Sequence, residues 1–144
     1  MRVLLDTNIL LDVLLDRPGL ADESEAAITR GEDLGAELFV AFHGLATAYY
    51  LLKRGRTEAE ALTEVDRILA WARVAAAGDA EAREARTMGL PDFEDALQAA
   101  SAKACGADWI VTRNIDDFRQ SAVPTISPAE FVARFPAPLT RGGV

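Results

Sequence analysis

Aspartates stand in three segments of this sequence, each beside a short apolar run, and aspartate is a residue type that holds divalent cations. Asp6 directly follows the run V-L-L near the start. Asp92 and Asp95 lie in P-D-F-E-D-A-L-Q-A-A, and Asp117 lies in W-I-V-T-R-N-I-D-D-F. Carboxylates without a basic partner repel one another unless a cation lies among them. If the fold gathers these segments, the sequence predicts a cation site.

Taken singly, the first two segments also have structural explanations. Asp6 is a residue type that commonly caps a helix, while Thr7 and Asn8 could hold a water or orient its carboxylate. Asp92 and Asp95 are three residues apart, so both project from one side of a first helical turn. Acids are favoured at that end of a helix by its dipole, whatever the function. The order of the segments is therefore more informative than any one of them.

The third segment combines hydrogen-bonding groups with acids. Thr112 and Asn114 could bond to neighbouring carboxylates or to a water on a metal, and Asp116 or Asp117 could coordinate. Arg113 could contact phosphate, although a surface salt bridge is the simpler interpretation. The run N-I-D-D is also typical of a turn or a helix cap.

The elements that must position these acids alternate between apolar runs and helical patterns. The predicted strands are residues 2–6, 37–41, 74–77, 109–112 and 125–126. The predicted helices are one that follows residues 6–8 and ends at residues 17–19, then 21–30, 44–53, 57–72, 79–88, 91–105 and 128–135. This alternation predicts a three-layer α/β/α sandwich around a central, mainly parallel sheet. Asp6 and the segment after Thr112 then lie at carboxyl ends of strands, where ligands bind.

Length and composition are those of one soluble domain. The chain has 144 residues, and we expect a single domain over 1–135 with a flexible tail over 136–144. The one cysteine, Cys105, cannot form an internal disulfide, which favours a reducing compartment. No signal peptide or membrane-spanning run is evident, so we expect a cytoplasmic protein with no membrane partner.

The charge balance is acidic, with 15 basic and 23 acidic residues and a net charge of −8. This counts against general electrostatic capture of DNA or RNA. It leaves room for a nucleic-acid enzyme, because bound cations neutralise part of an acidic pocket and Lys53, Arg54 and Arg56 could meet phosphates. A basic partner protein would also complement such a surface.

The three segments, in this order, resemble the PIN-domain family, in particular bacterial PIN-type ribonucleases such as VapC toxins. The likeness is carried by M-R-V-L-L-D-T-N-I-L-L-D and by the two longer segments above, and it extends to about Phe135. It implies a Rossmann-like domain whose acidic pocket binds Mg²⁺ or Mn²⁺ and hydrolyses phosphodiesters, usually in RNA. It also implies the toxin of a toxin–antitoxin pair, with an antitoxin protein as partner.

Motif positions carry the family's acids onto this chain. Asp6 matches the first acid and Asp95 the acid before the alanine-rich helix. The final acidic region corresponds to Asn114 and Asp117. The resemblance therefore implies catalytic and metal-binding roles for Asp6 and Asp95 and places Asp117 in the final acidic region. Asp92 and Asp117 are the further candidate metal ligands.

One family position differs here. The family commonly has a glutamate on the helix after the second strand, where this chain has Thr47 and no acid between Glu37 and Glu58. Asp92 could supply the missing charge, or the site could be weakened. The alternative function is thus a catalytically weak module that binds RNA or protein. A dehalogenase-type phosphohydrolase would need D-x-D at the first strand, but residue 8 is Asn.

Two further features have alternative interpretations. His43, the only histidine, is favoured as a structural or capping residue over a general base, since metal-activated water needs no histidine. The helix faces that include Tyr49 and Tyr50 suit a homodimer and suit an ordinary core nearly as well.

Overall fold

In the described part of the chain, five short strands form one sheet in the order β3-β2-β1-β4-β5, and every neighbouring pair is parallel. The structure is a computed structural model, and it describes residues 1–140. The strands are β1 (Arg2–Leu5), β2 (Glu37–Ala41), β3 (Arg73–Ala75), β4 (Trp109–Val111) and β5 (Thr125–Ile126). Each predicted strand is present, and the weakest prediction, 74–77, is a three-residue strand that begins one residue earlier.

Within residues 1–140, seven α-helices connect and cover the strands. They are α1 (Thr7–Leu14), α2 (Ala21–Asp33), α3 (Phe42–Leu52), α4 (Glu58–Trp71), α5 (Asp79–Thr87), α6 (Phe93–Ala104) and α7 (Pro128–Arg134). Short 3-10 turns follow α3 at Lys53–Gly55 and β4 at Ile115–Phe118. The predicted α/β/α sandwich with a parallel sheet is confirmed.

The period of two along the strands divides the core between the two faces of the sheet. Val3 and Leu5 of β1 pack with α1, α2, α4 and α7 on one face. Leu4, between them, packs on the other face with α6 and the turn that follows β4. β1 is buried from Val3 onward and lies in the middle of the sheet, so its carboxyl end is enclosed on both sides.

Several helix boundaries differ from the prediction, such as the start of α3 at Phe42 instead of Gly44, and two of the differences have a clear physical cause. Gly31 was expected to end α2, but it lies inside the helix and is buried against Leu38 of β2. A Cβ on Gly31 would lie 2.7 Å from Leu38 Cδ2, so glycine allows this close approach. The predicted helix start at Pro91 was also early, because α6 begins at Phe93 with Asp92 as its N-cap.

A buried ion pair fixes the segment that follows β4. Asp12 of α1 is fully buried, and its carboxylate accepts hydrogen bonds from Arg113 Nε at 2.9 Å and Nη2 at 2.8 Å. Ser24 Oγ of α2 donates to the same carboxylate at 2.7 Å. A bidentate arginine and a hydroxyl together satisfy a buried acid. This network attaches residue 113 to the helices beside β1.

None of the helices within residues 1–140 is long and apolar enough to cross a membrane. The tail expected to be flexible, residues 136–144, falls partly outside the described residues, since 141–144 are not among them. The single-domain boundary at 135 stays a prediction.

Candidate metal centre at the carboxyl edge of the sheet

Asp6 lies where β1 ends, between the ends of its two neighbouring strands. Leu5 is level with Val40 of β2 and Val111 of β4, and the Asp6 amide donates to the Val111 carbonyl at 3.0 Å. Asp6 has only 2% of its surface exposed. It occupies the N-cap position of α1, but its side chain makes no capping hydrogen bond. The Asp6 carboxylate is therefore not engaged in helix capping, which is the structural role that its sequence position suggests.

Thr112 instead orients the Asp6 carboxylate. The fully buried Thr112 hydroxyl donates to Asp6 Oδ2 at 2.8 Å and accepts from the Asn114 amide at 3.0 Å. Thr112 is thus a positioning residue between the ends of β1 and β4. The predicted hydrogen bond between Thr112 and a carboxylate is present.

Thr7 connects the helices behind Asp6. Its hydroxyl is buried and accepts a hydrogen bond from Gln98 Nε2 of α6. A Cβ on Gly44 of α3 would lie 2.8 Å from the same Thr7 oxygen, so only glycine allows α3 this close. Thr7 therefore helps to position α3 and α6 against α1. Asn8, the next residue, is half-buried.

Asp92 and Asp95 share the first turn of α6. Asp92 is exposed, and its Oδ1 accepts a hydrogen bond from the Asp95 amide at 3.1 Å, which is an N-cap contact. Asp95 is half-buried and has no capping role. The structural interpretation thus accounts for one oxygen of Asp92 and leaves the Asp95 carboxylate unexplained.

The electrostatics of Asp95 show that the predicted acids come together. Burial and, in decreasing order, the negative charges of Asp6, Asp92, Asp117 and Glu94 together raise the pKa of Asp95 to about 7. Acids from all three sequence segments therefore act on one carboxyl group.

Glu94 is the acid that the sequence analysis missed. Burial raises the pKa of Asp6, the charge of Glu94 raises it further, and the hydrogen bond from Thr112 opposes both. Glu94 is exposed at the first turn of α6, and its charge acts on both Asp6 and Asp95. Its place between Asp92 and Asp95 in the run D-F-E-D was the available signal.

Thr47, at the position of the usual family glutamate, is occupied within its own helix. Its hydroxyl donates to the His43 carbonyl at 3.2 Å. His43 faces α6: burial lowers the pKa of its imidazole, and the charge of Glu94 opposes that shift. Within residues 1–140, His43 Nε2 is buried without a hydrogen-bond partner. Position 47 therefore offers no charge, while Glu94 brings one close to the same helix.

The segment after β4 forms the remaining wall. Asp117 is half-buried and acts on Asp95, whereas Asp116 is exposed and paired with Arg119 at 2.8 Å. Asp117 is thus the better placed of the two. Asn114 begins the 3-10 turn, and residues 113–117 line an open depression of about 340 Å³. Arg113, engaged by Asp12, has a structural partner, and its contact with phosphate stays a prediction.

The acids fit a divalent cation by donor type and by charge. Carboxylate oxygens are the ligands that Mg²⁺ and Mn²⁺ prefer. A cation among Asp6, Asp95 and Asp117 would offset the repulsion that raises the Asp95 pKa. Within residues 1–140, however, no three His, Cys, Asp or Glu side chains are grouped closely enough to hold a metal as they stand.

Comparisons with known proteins agree with this architecture. A sequence profile described as "PIN domain" matches residues 2–116. A comparison with curated proteins gives no match.

Solved structures share the fold at low sequence identity. VapBC-1 from nontypeable Haemophilus influenzae is 16% identical, with a TM-score of 0.69 over 89% of this chain and 98% of that one. VapBC2 from Rickettsia felis, bound to a promoter DNA fragment, is 18% identical with a TM-score of 0.67 over 88% and 98%. FitAcB from Neisseria gonorrhoeae is 19% identical with a TM-score of 0.60 over 88% and 97%.

The Asp95 pKa predicts a pH dependence of stability without metal. Between the ordinary value of 3.8 and about 7, folded Asp95 keeps a proton that the unfolded chain releases. In EDTA, this acid therefore makes the free energy of unfolding decrease as pH rises through that window. We expect Asp95→Asn to remove that part of the decrease, measured by urea unfolding at several pH values. Asp66→Asn, at an exposed position on α4, is the matched control. Equal pH slopes for wild type and Asp95→Asn would contradict the shift.

Proposed function

Since this chain belongs to the PIN domain family, we propose that it is a Mg²⁺- or Mn²⁺-dependent ribonuclease and the toxin of a toxin–antitoxin pair. The observation that carries the proposal is the convergence of acids from three distant segments on Asp95, whose pKa is raised to about 7. Perturbed carboxylates in such a cluster are typical of functional sites. An RNA substrate and a single unpaired cysteine, Cys105, both suit the cytoplasm.

In this proposal, each side chain of the acidic cluster has a distinct role. Asp6 and Asp95 are the principal metal ligands, and Asp117 completes the site from the segment after β4. Thr112 holds Asp6 in one orientation through its 2.8 Å hydrogen bond. The bound cation would supply activation of a water and stabilisation of negative charge on the phosphate oxygens. Carboxylates held by buried neighbours lose little freedom when a ligand binds.

Glu94 replaces the missing family glutamate in this proposal. Asp92 already uses Oδ1 as a helix cap, and its charge acts on Asp95. The charge of Glu94 acts on Asp95, Asp6 and His43, so it lies near both central acids and near the start of α3. A carboxylate from α6 thus supplies the charge that Thr47 of α3 lacks.

An apolar groove offers a binding surface for the antitoxin. A cavity of about 340 Å³ lies between α1, α2 and α4, and its apolar lining consists of Leu10, Val13, Leu14, Ile28, Ile68 and Trp71. Glu64 and Arg67 stand at its rim. The likeness to the VapBC and FitAB structures supports a partner protein for this fold. We expect the partner to place an apolar segment in this groove.

A homodimer through α3 stays a prediction. Tyr50 has 76% of its surface exposed, while the Tyr49 hydroxyl donates to Glu58 at 3.0 Å. An exposed aromatic residue on a helix suits an interface between copies of the chain.

The first prediction from the proposed function concerns catalysis. With Mg²⁺ or Mn²⁺ present, we expect the purified protein to cleave structured RNAs and EDTA to stop the cleavage. Asp6→Asn and Asp95→Asn should each lower kcat by more than about a hundredfold, since even outer partners of a metal ligand contribute about 10–100-fold. Asp66→Asn should retain full activity. Cleavage that survives either substitution would refute the metal site, and inertness of wild type toward all RNAs would favour the non-cutting binding module.

The second prediction separates Glu94 from Asp92. We expect Glu94→Gln to weaken Mn²⁺ binding by more than about tenfold in calorimetry, because it removes a ligand or a close counter-charge. Asp92→Asn keeps a capping side chain and should change the affinity less. Adding Thr47→Glu to Glu94→Gln should recover part of the loss. The opposite ranking would assign the fourth charge to Asp92.

The third prediction concerns the partner. Leu14→Asp places a charge in the apolar groove, so the co-expressed product of a neighbouring small reading frame should no longer co-purify with the chain. RNA cleavage by the variant alone should persist. Leu69→Asp changes an exposed leucine of α4 that is not among the residues lining the groove, and it should leave co-purification intact. Unchanged co-purification with Leu14→Asp would exclude the groove as the binding surface.

A further inference from the structure

A second groove lies beside the acidic cluster, between the end of α5 and the start of α6. It has a volume of about 470 Å³, and Arg86 and Phe93 stand among the residues that line it. We propose that this groove binds an unpaired nucleotide of the RNA strand, with the base stacked on Phe93 and a phosphate on Arg86. The inference rests on the proposed ribonuclease function and names its substrate class as unpaired RNA.

Phe93 is an aromatic ring without a packing role that explains its position. It is 53% exposed, although it begins α6 and stands directly between Asp92 and Glu94. Half of a phenyl ring in water is unfavourable, and a nucleobase covers such a ring well. Because the adjacent residues belong to the acidic cluster, a base stacked here belongs to the strand that the cluster holds.

Arg86 supplies the charge that a nucleotide requires. It is exposed in the last turn of α5, and within residues 1–140 it has no ion pair or side-chain hydrogen bond. Arg83, one turn earlier, is by contrast paired with Asp79 at 2.9 Å. A guanidinium binds phosphate through paired hydrogen bonds and also stacks on bases. In a chain of net charge −8, an unpaired arginine beside an acidic site is a local attraction for the RNA backbone.

The remaining lining gives the groove its shape. Ala85 and Ala96 are buried small side chains that pack α5 against α6, and they form the floor of the groove. Gly89 has φ +79°, a left-handed conformation that favours glycine, and it reverses the chain before Pro91. A short turn with glycine and proline thus connects Arg86 at the end of α5 to Phe93 at the start of α6, and both line the same groove.

The geometry also selects for unpaired RNA. A base inside a duplex has both faces covered by its neighbours, so it cannot stack on a protein ring without leaving the helix. A single strand exposes its bases, so a base can stack on an aromatic side chain while the neighbouring phosphate contacts a cationic one. Loops and single-stranded regions are therefore the expected targets.

Binding can be measured separately from cleavage. In the Asp95→Asn background, single-stranded RNA oligonucleotides that carry 2-aminopurine should lose fluorescence on binding, because the base stacks. We expect Phe93→Ala to weaken binding by about five- to a hundredfold and to abolish this loss, and Phe93→Trp to retain both. Arg86→Gln should weaken binding and lower the slope of log K against log salt by about one. Duplex RNA of the same sequence should bind weakly and respond little to either change.

Matched controls and the cleavage assay complete the test. Tyr50→Ala and Arg83→Gln, which change another exposed aromatic and a paired arginine, should bind RNA as the background protein does. In the otherwise wild-type chain, Phe93→Ala should raise KM more than it lowers kcat. Binding that is insensitive to Phe93, or equal affinity for duplex and single strand, would overturn the groove assignment.

The two proposals can fail separately. Cleavage by wild type with an unchanged KM in Phe93→Ala would overturn the groove and leave the ribonuclease intact. Stacking that depends on Phe93 without cleavage by wild type would overturn the ribonuclease and support the groove as an RNA-binding site. Loss of partner co-purification with Phe93→Ala, at unchanged RNA affinity, would assign the groove to a protein and overturn the inference.

Discussion

Repulsion among carboxylates at the carboxyl edge of the sheet is the constraint on which the rest of the site depends. A parallel sheet brings strand ends to one edge, so Asp6 and the segment after β4 become neighbours as soon as β1 pairs with β4. The alanine-rich face of α6 then brings Asp95 over the same edge. The neutral hydroxyl of Thr112 and the positive end of the α6 dipole offset part of the repulsion. The remaining repulsion adds to burial in raising the pKa of Asp95.

Asp12 within α1 and Asp6 at the N-cap of α1 are both buried acids, but their surroundings differ in charge. This difference is why the cluster is a candidate site. Asp12 is fully buried, and its charge is matched by Arg113 and a serine hydroxyl. Asp6 is almost as buried, yet its side-chain partner is the hydroxyl of Thr112, and the charge acting on it is the negative charge of Glu94. The fold thus provides an arginine for the buried charge of Asp12 and only a neutral hydroxyl for that of Asp6. Packing does not explain this difference, whereas a bound cation beside Asp6 would. The difference gives Asp12 a structural explanation and makes Asp6 the candidate for a functional role.

The parallel sheet, its carboxyl edge and the position of Asp6 and Asp95 near that edge could be predicted from the sequence, because each depends on a local pattern. Asp6 ends a short aliphatic run, and Asp95 precedes an alanine-rich helical run. In a parallel sheet, these two patterns place both acids near the carboxyl edge. Other features depended on distant contacts. The pairing of Asp12 with Arg113 joins residues 101 positions apart, and no local pattern indicates it. Gly31 has the type of a helix stop, but close packing on Leu38 keeps it inside α2.

Glu94 and Phe93 could not be assigned to the site from the sequence for a different reason. Their positions in the sequence are plain, but only the packing of α6 against the sheet shows that Glu94 lies near the acidic cluster and Phe93 beside a groove. Within one helical turn, Asp92 and Asp95 take one direction and Phe93 another. That turn therefore presents negative charge toward the sheet edge and an aromatic ring toward the groove with Arg86. A net charge of −8 opposes long-range attraction of RNA, so the RNA recognition proposed above depends on such short-range contacts. Selectivity would then come from the stacked base and the held phosphate, with a smaller dependence on salt than a basic nucleic-acid binder shows.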